Sequence, residues 1–470
     1  MVYPFFLLVT FSLQGQNQKL EQILNLELHP GTPPPKIESE AQLQNLYYDN
    51  LHDIMSLIFY ESDSSFEALK KFEDIRIEAI ESFPPDSPWK GFLISEIKLQ
   101  WAFIKLKYGE EWGAFWSLRS ANKLISENEE DYPSFEINQR TSGLLNILFG
   151  VTPDNYKWVF NMFGMKGSVK KGIERLENTL SSDNGYGLEA SIILGMVYSH
   201  LLENTQTAPK FLQNGPLSSK PLSRYFQGII LQKSHQAQEA RLLWAKDGME
   251  IPFEHYLVAE SYFQEGFYEE AIQNYLQFLN DFTGTTYQKD TYLKIALSHR
   301  FLGQAQSFNT YFALAQNSKA ESSEIDKNAQ KILDDFDNTN LIMLQLRFAI
   351  DGGFLERTNR LISQLKSSSL SNEESIELIY REARLSHISG QTEKAISLYQ
   401  SVIEQAETIK GTYYAPNSFL QMGYLQRDLG DIEEARMYFN EVLSFRKHPY
   451  KTSLDTKAKV AISLLSPGDE

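Results

Sequence analysis

Apolar residues along this chain recur at the three-and-four spacing of amphipathic helices, and no segment sustains the alternation of a strand. Two stretches share one layout. Tyr262-Phe-Gln-Glu-Gly266-Phe-Tyr268-Glu-Glu-Ala271-Ile-Gln-Asn-Tyr275 and Leu425-Gln-Arg-Asp-Leu-Gly430-Asp-Ile-Glu-Glu-Ala435-Arg-Met-Tyr-Phe439 each run a helical face into a glycine. Ala follows five residues later, and an aromatic four beyond it. A glycine between two helical stretches closes the first, because the left-handed conformation at a helix end costs glycine least. The layout therefore predicts the turn between two antiparallel helices, written twice. It recurs with Leu194, Gly195 and Tyr198; with Gly228, Ala240 and Trp244, where His235 holds the turn; with Ala296, Gly303, Phe308 and Phe312; with Leu346, Ala349, Gly353, Thr358 and Ile362; and with Ala383, Gly390, Ala395 and Tyr399. The turns at 235, 266, 303, 353, 390 and 430 step by 31, 37, 50, 37 and 40 residues. The long step holds Ser322 to Asp335, which predicts an inserted helix.

This layout resembles the tetratricopeptide repeat, whose period is about 34 residues. The match is specific over 253–280 and 376–443 and weaker elsewhere after 186. The resemblance implies an all-α fold, a right-handed superhelical solenoid of antiparallel helix pairs, with an inner groove lined by the first helix of each pair. Residues 186–452 form the array on this reading, followed by a C-terminal capping helix and tail at 453–470. Residues 43–185 read as an irregular helical region, in which Trp89–Tyr108 and Trp112–Ile125 make a worn pair broken at Gly109. Residues 16–42 read as a linker, from the run His29-Pro-Gly-Thr-Pro-Pro-Pro35. Residues 1–15 read as a secretory signal. The apolar run Pro4 to Leu13 is too short to cross a bilayer and stops at Gln14-Gly15-Gln16, although no Lys or Arg precedes it. The small residue before a Gln-rich start resembles exported proteins of Bacteroidota-type bacteria. A periplasmic or secreted protein with no integral membrane segment in its mature chain is expected, and a cytoplasmic one if the signal reading is wrong.

Charge and composition narrow the function. With 44 Lys and Arg against 61 Asp and Glu, the net charge of −17 argues against nucleic acid as a main partner. The absence of Cys removes thiol nucleophiles, thiolate metal sites and disulfides. The eight His are scattered without metal spacing. Gly164-Met-Lys-Gly167 lacks the Gly-Lys-Ser/Thr ending of a phosphate loop and reads as a tight interhelix turn, with Gly172 as the small residue of the helix that follows. Asp183-Asn184-Gly185 reads as a turn rather than a calcium loop. No enzyme, cofactor or metal is expected.

The family's groove positions fall on Tyr256 and Phe263, Leu293 and Arg300, Arg347, Tyr380, Arg384 and His387, and Tyr424 and Arg427. Four consecutive repeats thus offer an Arg inward, which suits an acidic or C-terminal carboxylate-bearing peptide. The competing account pairs each Arg with a neighbour such as Glu260, Asp351 or Asp428. The functional expectation is a non-catalytic protein-binding scaffold in a cell-envelope assembly. Two alternatives are a glycan- or nutrient-binding envelope protein that partners an outer-membrane transporter, and a cytosolic regulatory scaffold. The six Trp fall mostly at apolar helical spacing, which predicts interior positions and weighs against a sugar site.

Overall fold

The protein, seen in a computed structural model, is described here for residues 18–28, 37, 39–83, 86–181, 187–213, 217–246, 248–319, 323–405, 408 and 410–465. The proposed signal, the proline run and the Asp183-Asn184-Gly185 turn lie outside these residues. The first part contains α1 (Gln18–Leu24), α2 (Glu40–Tyr60), α3 (Asp63–Leu69), α4 (Phe72–Glu81), α5 (Pro88–Lys107) and α6 (Glu111–Asp131). It continues with α7 (Asn138–Gly150), α8 (Asp154–Met162), α9 (Val169–Ser181), α10 (Gly187–Met196) with a π-helical turn at Val197–Leu201, and α11 (Lys210–Gln213). α1 corrects the linker reading for its stretch: Leu20, Ile23 and Leu24 are buried, and the helix packs on α2. α5 starts where Ser87 accepts from the Trp89 N–H (3.3 Å) and Pro88 fills the first turn, whose N–H groups have no helical partner. α5 packs along α6 through the turn at Gly109, and α7 along α9. The second pair is close because Gly143 and Gly172 face each other; a Cβ on Gly172 would sit 2.6 Å from the Gly143 carbonyl oxygen. Buried Arg140 on α7 ties Glu96 of α5 (2.5 Å) to Glu189 of α10 (3.1 Å).

The array follows as helix pairs. They are α12 (Pro221–Lys233) with α13 (Ala237–Trp244), α14 (Pro252–Glu265) with α15 (Tyr268–Asp281), and α16 (Gln288–Phe301) with α17 (Ala305–Asn317). α18 (Glu324–Asp334) stands alone and packs on α16. Then come α19 (Leu341–Gly352) with α20 (Leu355–Lys366), α21 (Asn372–Ile388) with α22 (Thr392–Glu404), and α23 (Tyr414–Leu429) with α24 (Ile432–Ser444), before the terminal α25 (Lys451–Leu465). All six turn positions read from the sequence are left-handed: φ is 60° at His235, 98° at Gly266, 76° at Gly303, 79° at Gly353, 70° at Gly390 and 88° at Gly430. Within the pairs, Ala240, Ala271, Ala395 and Ala435 are fully buried beside buried Trp244, Tyr275, Tyr399 and Phe439. The small residues let the helices approach and the rings fill the crossing.

The fold is the expected all-α solenoid of antiparallel helix pairs, and α18 interrupts its course. After α18 the chain folds back, so that α19 packs on α14 and touches α12. Through α19 the fourth pair thus meets the first two pairs. The His235 Nδ1 lies 3.1 Å from the Asp351 carbonyl, joining two turns 116 residues apart. α25 packs on α24 and also on α9. Lys457 of α25 pairs with Glu203, and the Gln421 Nε2 donates to the same carboxylate (2.8 Å). On another side Glu61, at the end of α2, accepts from Thr286 and pairs with Lys107 (3.2 Å).

Candidate functional site: the inner groove

The fold-back decides which groove positions are open. Tyr256 and Phe263 are not: they are 2% and 1% exposed. The Tyr256 hydroxyl donates to Asp290 (2.7 Å), and Phe263 packs edge-on against Phe348 of α19 (5.0 Å). This corrects the groove assignment, because the returning α19 fills the space these rings would have lined. Leu293 is buried with them. Arg300 is exposed, with its guanidinium over the Phe308 ring (5.7 Å).

The remaining positions gather on α19, α21 and α23. Arg384 donates to Gln421 Oε1 (2.6 Å), and Gln421 passes the chain of hydrogen bonds on to Glu203. The His387 Nδ1 sits 3.4 Å from the Tyr399 hydroxyl. Tyr380 is buried among Tyr399, Tyr413 and Tyr414, so it supports the wall rather than lining it. Tyr424 is buried with its hydroxyl unpartnered. Of the competing ion pairs, Arg427 does pair with Asp428 (2.8 Å), whereas Glu260 takes Lys294 (2.6 Å). Among the described residues no carboxylate stands within ion-pair distance of Arg347, Arg384 or Lys233; Asp351 acts on Arg347 and Lys233 only from farther away.

Three members of this cluster escaped the sequence reading. Glu203 follows the π-helical turn, and Lys457 lies on α25, so neither sits at a groove offset before a turn. Lys233 sits two residues before the turn at His235, one place off the groove offsets. Their effect is electrostatic. Burial opposes the charge on Glu203, but Lys457, Arg384 and Lys233 together overcome it and hold the carboxyl well below its ordinary range. Burial, aided by Lys457, lowers the Lys233 ammonium. Burial, aided by Arg384, pushes His235 down to about 4 and His387 down to about 3. The groove is therefore cationic inside a strongly anionic protein, and its histidines are neutral at pH 7. An imidazole held so far below 7 is a poor general base there.

Among the described residues no group of His, Asp and Glu has metal-binding geometry, and no helix is long and apolar enough to cross a membrane. No curated protein matches the chain. Among solved structures, it is similar to the human IFIT1 dimer with PPP-AAAA, at 12% identity over 87% of this chain and 95% of that one, with a TM-score of 0.33. It is similar also to the APC/C hetero-tetramer Cut9-Hcn1, at 12% identity over 90% and 99%, with a TM-score of 0.23. The family model described as tetratricopeptide repeat matches residues 416–448, which hold most of α23, the Gly430 turn and α24. The matched unit is a tetratricopeptide repeat, and the pairs before it share its helix–turn–helix build.

Proposed function

We propose that the protein is a non-catalytic interaction scaffold that holds a peptide by a carboxylate in its inner groove, and that it serves a cell-envelope assembly. The observation that carries this reading is an excess of positive charge: Lys233, Arg347 and Arg384 have no carboxylate within ion-pair distance among the described residues and share only Glu203 and Asp351 at longer range. These cations are half-buried, and a guest carboxylate gives them a partner at close range. Arginine forks bind carboxylates through two parallel hydrogen bonds. The envelope context rests on the apolar start of the chain alone.

The test is a peptide titration read by fluorescence anisotropy. Peptides with a free C-terminal carboxylate or acidic side chains bind, and amidated neutral versions bind about tenfold more weakly, as expected for the loss of a charge-assisted pair. Arg347→Ala with Arg384→Ala abolishes the difference while the melting temperature holds. Equal capture by the double variant, with its fold intact, removes the groove from the account. Fractionation of the native protein tests the compartment separately, and recovery from cytosol alone overturns the envelope reading.

A further inference from the structure

The tryptophans divide in a way their spacing does not predict. Trp101 and Trp244 are buried, but Trp112 is 76% exposed, Trp158 65% and Trp116 50%. Trp112 and Trp116 share α6, and Trp158 stands on the neighbouring α8. Phe163, just after α8, packs edge-on against Phe115 (5.3 Å) and Trp116 (5.6 Å) of α6, and Phe160 of α8 against Phe115 (5.7 Å). The phenylalanines form a base that holds α8 against α6, and Tyr156, Trp158 and Met162 stand out from it into solvent. An apolar cluster of this size left open on a surface marks a contact.

We infer that this aromatic face docks the protein on an anionic lipid surface. Charge selects the partner. From Tyr156 to Lys171 the chain carries four lysines (157, 166, 170 and 171) and no Asp or Glu, in a protein of net charge −17. Arg119 lies over the Trp116 and Phe163 rings (5.7 and 5.5 Å), with no carboxylate paired to it among the described residues. An anionic membrane repels most of this molecule and attracts this stretch, so the field itself turns the aromatic face toward the headgroups. Trp and Tyr favour that depth, where a ring is half apolar and half wet, and a short amphipathic helix lies along it rather than across it. A sugar platform fits less well. The Trp112, Phe115 and Trp116 rings meet edge to face instead of forming a flat shelf, and besides lysines the segment offers only Asn161 and Ser168 as amide or hydroxyl groups beyond its tyrosine.

The experiment is cosedimentation of the full chain with phosphatidylcholine vesicles, with and without phosphatidylglycerol. Tryptophan emission is followed in parallel, with lipids brominated at known depth as quenchers. The protein sediments with the anionic vesicles only, and its emission is quenched from the bilayer side. Trp112→Ser, Trp158→Ser and Met162→Ser together weaken this at least about tenfold, and so do Lys157→Glu with Lys166→Glu. These side chains are exposed, so thermal melting is unchanged, and Arg347→Ala with Arg384→Ala binds vesicles as the parent does. Absence of sedimentation with anionic vesicles, sedimentation that survives the aromatic substitutions, or binding of soluble oligosaccharides in its place overturns the inference.

Discussion

Gly228 shows how one atom fixes a repeat. A Cβ there would lie 2.2 Å from the Trp244 ring, which is itself buried with its indole N–H donating to the Tyr225 carbonyl (3.2 Å). Gly228→Ala should destabilise the protein by about 1–3 kcal/mol through overpacking, seen as a lower urea midpoint. Gly390→Ala meets open space and pays only for φ at +70°, about 1 kcal/mol. Equal losses at the two sites would separate the ring contact from the effect. The histidines set a different residue-scale expectation. His200, His235 and His387 are pushed down to about 3, 4 and 3, chiefly by burial. Each is held neutral in the folded state, so its stabilising contribution is complete above the unfolded value near 6.5 and is lost as pH falls toward those lower values. Glu203, held low, acts in the same direction below its ordinary range. Glu254 acts oppositely: burial raises it to about 7, so its contribution is present below about 4.5 and lost as pH rises through 7. Asp326, raised to about 6, and Glu189, also raised, both chiefly by burial, oppose the histidines as Glu254 does. The test is therefore made at one residue: His235→Gln should lower the slope of stability against pH between about 4 and 6.5, relative to the parent, in urea melts.

At the scale of elements, α25 is fastened to the rest through Glu203. Its carboxylate holds Lys457 and Gln421 at once, and the Lys457 side chain is largely buried. Glu203→Ala strands that ammonium and should cost about 3–5 kcal/mol, whereas Glu203→Gln with Lys457→Met should cost much less. Hydrogen exchange should rise first in α25 and α9, and protection that stays uniform argues against the fastening. The helix pairs themselves were legible in the sequence for a physical reason: a left-handed turn restricts residue type, so Gly266, Gly303, Gly353, Gly390 and Gly430 announce themselves. His235 was found only by counting from its neighbours. The interruption before α19 was legible in the 50-residue step, but its consequence was not. Periodicity says which residues share a helix face, not which element covers that face. Tyr256 and Phe263 lie on an inward face that α19 happens to occupy, and Trp112 and Trp158 on faces that nothing occupies. The same limit hid Glu203 and Lys457 from the groove, since their helices meet only after the array turns back.

At the scale of the whole molecule, the return of the chain changes how it should unfold. An open repeat array gains stability from each unit and its nearest neighbours, so its ends fray and its transitions spread. Here α19 rests on α14, α25 on α9, and the 283–286 loop on the end of α2, where Thr283 donates to the Tyr60 carbonyl and Thr286 to Glu61. These contacts span more than 200 residues of sequence in the last two cases and couple the first helices to the last. A single cooperative transition is expected, with helicity and tryptophan emission changing together, because Trp101 reports the first region and Trp244 the array. Lys457→Glu places a second carboxylate against Glu203 and should undo the coupling without touching any repeat. The two probes should then separate, small-angle scattering should show a larger radius of gyration at unchanged helicity, and carboxylate peptides should bind less tightly, since Arg384 is held through Gln421 by the same Glu203. Probes that already diverge in the unaltered protein, or a variant that stays as compact as its parent, would show that the repeats stand independently and that the closure contributes little.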